Sequence, residues 1–149
     1  MIKPSIANTL LKLFFAQAQT NTLSILPDQC YIGLAKTGNL SADGSNFSTL
    51  EPSADAGYKR YLLCARASMD VTNKMTTPTD GSLENKETIF FPKATSAWGE
   101  IKYFGLFSSV NGGEPVFWGE IKATDGASVN VGENEVAIFS PGQLKVTLA

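Results

Sequence analysis

The pentapeptide Trp-Gly-Glu-Ile-Lys occurs twice in this chain, at 98–102 and 118–122, with Asn111-Gly112-Gly113 between the copies. Two aromatic-rich runs around an Asn-Gly turn predict a β-hairpin, because the tight turns that match strand twist need positive φ. On the first arm Ile101, Tyr103 and Phe107 share one face, with Phe104 and Leu106 on the other. On the second arm Val116 and Trp118 oppose Phe117 and Ile121. A strand that is apolar on both faces belongs inside a covered sheet. The hairpin is therefore expected at the centre of the core, with Trp98 and Trp118 as packing anchors.

Along the rest of the chain, short apolar runs alternate with turn signals. Gln29 to Leu34 reads as a strand, as do Tyr58 to Ala67, Thr88 to Phe91, Val129 to Val131, Val136 to Phe139 and Leu144 to Leu148. Asp43-Gly44, Asp125-Gly126 and Ser140-Pro141-Gly142 mark turns. The segments 36–57 and 70–85 are polar and read as loops. The first exceeds the length usual for a structureless loop in a compact domain, which points to function or mobility. The expected fold is an all-β antiparallel sandwich, jelly-roll-like, of about seven or eight short strands.

One helix precedes it. Ile6, Ala7, Leu10, Leu11, Phe14 and Ala18 recur at helical spacing, with Ser5 as the expected N-cap after Pro4. Leu13 and Phe15 widen the apolar surface. The stripe predicts either packing on the chain's own domain or docking to a neighbouring subunit, and Ile6, Leu10, Leu11, Leu13, Phe14 and Phe15 are the candidate interface. Residues 1–20 are thus read as a helix that packs or docks, and residues 28–149 as the sandwich domain. Lys12 interrupts the apolar run and argues against a cleaved leader.

The chemistry is sparse. There are no histidines among the 149 residues, which removes Ser-His-Asp and Cys-His catalysis and the usual zinc sites. A net charge of −2 gives no broad basic field for nucleic acid or anionic lipid, and no run is long and apolar enough to span a bilayer. Cys30 and Cys64 make no disulfide framework, though one bridge between them stays open. Glu100 and Glu120 could imitate a glycosidase pair. With the turn near 111–113, however, they fall about 13 Å apart along the strands, where such enzymes need roughly 5 to 9.5 Å. No Asp-x-Asp-x-Asp-Gly loop is present for calcium. Lys59-Arg60 and Arg66, near Tyr58 and Tyr61, form a weak anion-attracting cluster. Trp98 and Trp118 are the candidate glycan contacts, should their rings be exposed. No catalytic, metal or cofactor-binding residues are expected.

An ordered series of motifs then resembles small tail-fibre-like virion structural proteins of tailed bacteriophages. The N-terminal helix is followed by Tyr31-Ile32-Gly33-Leu34, a Gly/Ser-rich loop, Glu51-Pro52-Ser53 and Gly57-Tyr58-Lys59-Arg60. Next come Ile89 through Gly99, then Phe104 to Phe107 with Gly112-Gly113, and a closing Phe139, Gly142, Leu144 and Val146 to Leu148. The resemblance implies a non-enzymatic virion component, assembled in the bacterial host cytoplasm, at the tail or baseplate or on a tail fibre. Its implied partners are other virion proteins of tail, baseplate or capsid, and further copies of itself, with a trimer among the candidate states. A host-surface glycan is a further candidate. Capsid decoration and a carbohydrate-binding module are the alternative functions.

Overall fold

A computed structural model of the chain describes residues 4–15, 29–65, 73–121 and 129–148. In chain order the elements are helix α1 (Pro4–Phe14), β1 (Gln29–Lys36), helix α2 (Phe47–Leu50), β2 (Tyr61–Ala65), β3 (Ser82–Glu84) and β4 (Ile89–Phe90). They continue with β5 (Gly99–Phe107), β6 (Phe117–Glu120), β7 (Val129–Val131), β8 (Ile138–Phe139) and β9 (Lys145–Thr147). The fold class is all-β and antiparallel, of the sandwich type, with a short N-terminal helix. The described residues divide into two compact units, and the helix is not a unit of its own.

The first unit contains Met1–Cys30, Leu62–Ile89 and Ile138–Ala149. Proline occupies the first helical position, where its missing N–H costs nothing, so Ser5 lies inside α1 rather than capping it. Ala7, Leu11, Phe14 and Phe15 are buried, and α1 packs on β3. The Asn8 side chain accepts the Gly81 N–H at 2.7 Å and ties the helix to the turn before β3. β3 pairs with β9, Leu83 opposite Val146, both buried.

β3 falls in the stretch expected to be loop. Its sequence, Ser-Leu-Glu, has a single apolar residue and no alternation to detect. The pairing supplies the strand, reinforced by Asn85 beside it. That buried side chain donates to the carbonyls of Glu87 and Ser140 at 2.9 and 3.0 Å and accepts the Leu144 N–H at 2.9 Å.

The second unit contains Tyr31–Tyr61 and Phe90–Ala137. Its frame is β5, flanked on one side by β1 in the register Tyr31↔Phe107 to Ala35↔Tyr103. The predicted hairpin is present, with β6 antiparallel to β5 from Tyr103↔Glu120 to Leu106↔Phe117. β7 pairs with the start of β5, Ile101 opposite Val129. Ile101 also faces Lys36 of β1, so β6 and β7 lie one after the other along the edge of β5 away from β1.

Candidate functional site

Directly opposed residues of neighbouring strands point to the same face. One face of the second unit's sheet therefore carries Gly33 on β1, Gly105 on β5 and Trp118 on β6 in a row across the strands. The two glycines leave a trough, and the 37–57 segment lies in it. Phe47 of α2 sits over Gly105, where an added Cβ would come within 3.0 Å of the Phe47 ring. That ring meets Phe107 edge to face at 5.3 Å between centroids, and both are fully buried with Ala35. Tyr31, Leu40, Leu50 and Tyr103 pack around them, half-buried.

The segment expected as a long loop is thus an ordered cap, held by its own polar side chains. The Asn46 carbonyl oxygen accepts the backbone N–H of Ser41 at 2.8 Å, and its amide donates to Asn39 O at 2.8 Å. Asp43 accepts the Ser45 N–H at 3.0 Å, which lowers its carboxyl to about 2. At the far end a 3-10 turn, Ala54–Ala56, leads into Gly57. Trp98 fastens that end: its Nε1–H donates to Ala56 O at 2.9 Å, and the residue is 3% exposed.

The centre of the site is Arg60. It is buried, and its Nε and Nη2 donate to the two oxygens of Glu51, each at 2.8 Å. Its Nη1 donates to Ser109 O at 3.0 Å and Gly112 O at 2.7 Å in the β5–β6 turn. The guanidinium carbon lies 3.4 Å from the Phe107 ring centroid. Tyr58 completes the cluster by donating to Glu51 at 2.8 Å and accepting the Leu34 N–H at 2.8 Å. Burial, then the negative charge of Glu51, pushes the Tyr58 phenol far above its ordinary range. One planar cation joins cap, strand and hairpin turn, a task suited to the fork geometry of arginine.

Gly33 belongs to the same device, since a Cβ there would lie 2.7 Å from Glu51 Oε1 and 3.0 Å from the Tyr58 oxygen. The sequence shows these residues only as motif fragments. The available signal was an arginine two residues from Tyr58 and close to Glu51. The anion-attracting reading of Lys59-Arg60 fails for Arg60, whose donors are already paired with Glu51, Ser109 and Gly112. Arg66 lies outside the described residues.

Of the candidate helix interface, Leu11, Phe14 and Phe15 are buried and Leu10 is 45% exposed. The side chains of Ile6 and Leu13 lie outside the described residues. The two tryptophans part company. Trp98 is enclosed, so it offers no ring face to a sugar, whereas Trp118 is 37% exposed and is not a core anchor.

Trp98 is held by Ala56 O and by the edge of Tyr58, and the backbone after it differs between the copies: Gly99 takes φ +84°, and Gly119 does not enter that region. Trp118 rests against the cap instead, its ring 3.0 Å from where a Cβ on Gly44 would stand. Glu120 lies opposite Tyr103 rather than 104, and Glu100 lies opposite Asn130, so the carboxylates stay about 10 Å apart along the strands. Cys30 and Cys64 are free and buried. Burial raises both thiols, that of Cys64 to about 12. Among the described residues no group of three or more His, Cys, Asp or Glu is placed to hold a metal ion.

The arrangement is that of a small antiparallel β scaffold, with its buried polar residues employed in holding a cap and a turn in place. A model of the family described as Podophage GP4 fiber I protein gp80 matches residues 4–147, and the chain belongs to that family of phage fibre structural proteins. No curated protein matches it significantly. No helix among the described residues is long and apolar enough to cross a membrane.

Proposed function

We propose that this protein is a non-enzymatic component of the virion, located at the tail or baseplate or on a tail fibre. It assembles with other virion proteins through the outer face of α1 and the exposed edge of its sheet. The observation that carries this reading is the family match, which runs through nearly the whole chain, from α1 to β9. Leu10, left exposed on a helix whose opposite face is buried, supports the helix as one contact.

Quantitative mass spectrometry of purified particles tests the location. A copy number that is a low multiple of the tail's rotational symmetry is expected, and the far larger count of a capsid shell would overturn the tail assignment. Removing the helix is a poor test of docking, because Ala7, Leu11 and Phe15 are fully buried in the first unit. Leu10→Asp alters the exposed face alone. It should leave the folded chain intact and reduce incorporation into particles, and unchanged incorporation would show that α1 is not the contact.

A further inference from the structure

The connection between β5 and β6 brings together the parts of an intramolecular reaction. Asn111-Gly112 is the one Asn-Gly pair in the chain. Both residues are exposed, yet Gly112 O touches the buried Arg60 guanidinium. Gly112 and Gly113 take φ +64° and +70°, so the glycines absorb the chain reversal and Asn111 stays outside the left-handed region. The Asn111 side chain has no hydrogen-bond partner among the described residues, and neither has the Gly112 N–H. A Cβ on Gly112 would meet nothing within 4 Å, so the space beside that residue is open.

The Asn111 carbonyl and the Gly112 N–H belong to one peptide group. That carbonyl oxygen accepts the Ser109 hydroxyl at 3.0 Å, and the same hydroxyl stands 3.4 Å from Gly112 O. When the Gly112 nitrogen gives up its proton, resonance places much of the charge on Asn111 O. The hydrogen bond from Ser109 then becomes a stronger, charge-assisted one. Arg60 Nη1, 2.7 Å from Gly112 O, adds a positive charge one peptide away, and a nearby opposite charge favours an anion. Ser109 and Arg60 thus make the Gly112 nitrogen a better nucleophile than an ordinary loop amide. The carbon within its reach is Asn111 Cγ.

We infer that Asn111 is a site of self-modification, at which the Gly112 nitrogen closes on Asn111 Cγ and converts the side-chain amide to an acid. Hydroxide takes the Gly112 proton, and the nitrogen forms a bond to Cγ. The Cγ–Nδ2 bond breaks, and Nδ2 departs as ammonia after taking a proton from water. A second water opens the cyclic imide. Cleavage at Cγ gives aspartate, and cleavage at the main-chain carbonyl carbon gives isoaspartate, with an extra methylene in the backbone. The sum is amide plus water to acid plus ammonia, with no change of oxidation state.

The consequence falls on Arg60. An added backbone methylene shifts Gly112 O away from Nη1, which then keeps Ser109 O alone of its two carbonyl acceptors. Ageing at Asn111 therefore loosens the polar centre of the second unit. The chemistry needs no partner and holds wherever the chain sits in a particle.

The test is incubation of the full-length chain at neutral and mildly alkaline pH, followed by peptide mapping with electron-transfer fragmentation, which separates isoaspartate from aspartate. Asn111 should convert, faster as pH rises, while Asn39, which precedes Leu40, remains an amide. Ser109→Ala should slow conversion roughly fivefold or more, and Ser109→Thr, which keeps the hydroxyl, should not. If Ser109→Ala does not fold, Ser109→Cys takes its place, since a thiol is a weak donor. The isoaspartate form, separated by ion exchange, should unfold at lower urea than the fresh chain. An Asn111 that stays an amide overturns the site. Conversion in Ser109→Ala or Ser109→Cys at the wild-type rate removes Ser109 from the chemistry, and an unchanged urea midpoint removes the link to Arg60.

Discussion

Replacing Arg60 with alanine tests the polar centre of the second unit most directly. Three consequences follow from the geometry. Glu51, whose side chain is 12% exposed, loses its bidentate cation. The carbonyls of Ser109 and Gly112 lose a donor, but Gly112 is exposed and its carbonyl can turn to water. The guanidinium also leaves the face of Phe107.

The carboxylate dominates, because removing one partner of a buried ion pair costs about 3–5 kcal/mol. Tyr58 still donates to Glu51, which places the expected loss near the lower end, about 3 kcal/mol. Against a total domain stability of roughly 5–15 kcal/mol that is a large fraction. Urea unfolding followed by tryptophan emission would read it, since Trp98 packs edge to face on Tyr58 at 5.3 Å. The double change Arg60→Met with Glu51→Leu should be less damaging than Arg60→Ala alone, since no orphaned charge remains. Arg60→Lys should rescue little, as a single ammonium cannot match the fork. A loss below about 1 kcal/mol for Arg60→Ala would mean that the pair behaves like a surface ion pair, and the reasoning would be wrong.

Gly105→Ala should destabilise by about 1–3 kcal/mol, because its Cβ would come within 2.9 Å of Phe107 and 3.0 Å of Phe47. Phe47→Leu in the same chain should recover part of the loss in denaturant titrations, and no recovery would remove the cap from the account. Tyr58 predicts a pH dependence. Its folded pKa lies above the unfolded value of about 10, so its contribution is fully present below about pH 10 and is lost as pH rises through the folded value. Thermal unfolding of Tyr58→Phe should therefore fall less steeply above about pH 10 than that of wild type, and equal slopes would refute the assignment.

The hairpin was legible because Asn-Gly and two alternating aromatic arms are local signals, and its register came within one residue of the observed pairing. α1 was legible for the same reason, through a period that one segment displays by itself. β3 was not, since a strand with one apolar residue exists only through its pairing with β9. Nor was the ordered cap. A stretch rich in Ser, Asn, Asp and Gly shows no period, and its order comes from Asn46, Phe47 and Glu51 meeting partners elsewhere in the chain or across their own loop.

Local pattern settled the class of fold, the central hairpin and the helix, and the zero count of histidine narrowed the chemistry by composition alone. Tertiary structure alone decided what identical words in the sequence mean. One Trp-Gly-Glu-Ile-Lys buries its tryptophan against Ala56 and Tyr58, with strands on both sides of the segment; the other begins on β6, which pairs with β5 alone among the described residues, and leaves Trp118 partly exposed. The same holds for Arg60, which in sequence is one of several cations. Its role arises from the distance between residues 51, 109 and 112, and no local period encodes a distance of that kind.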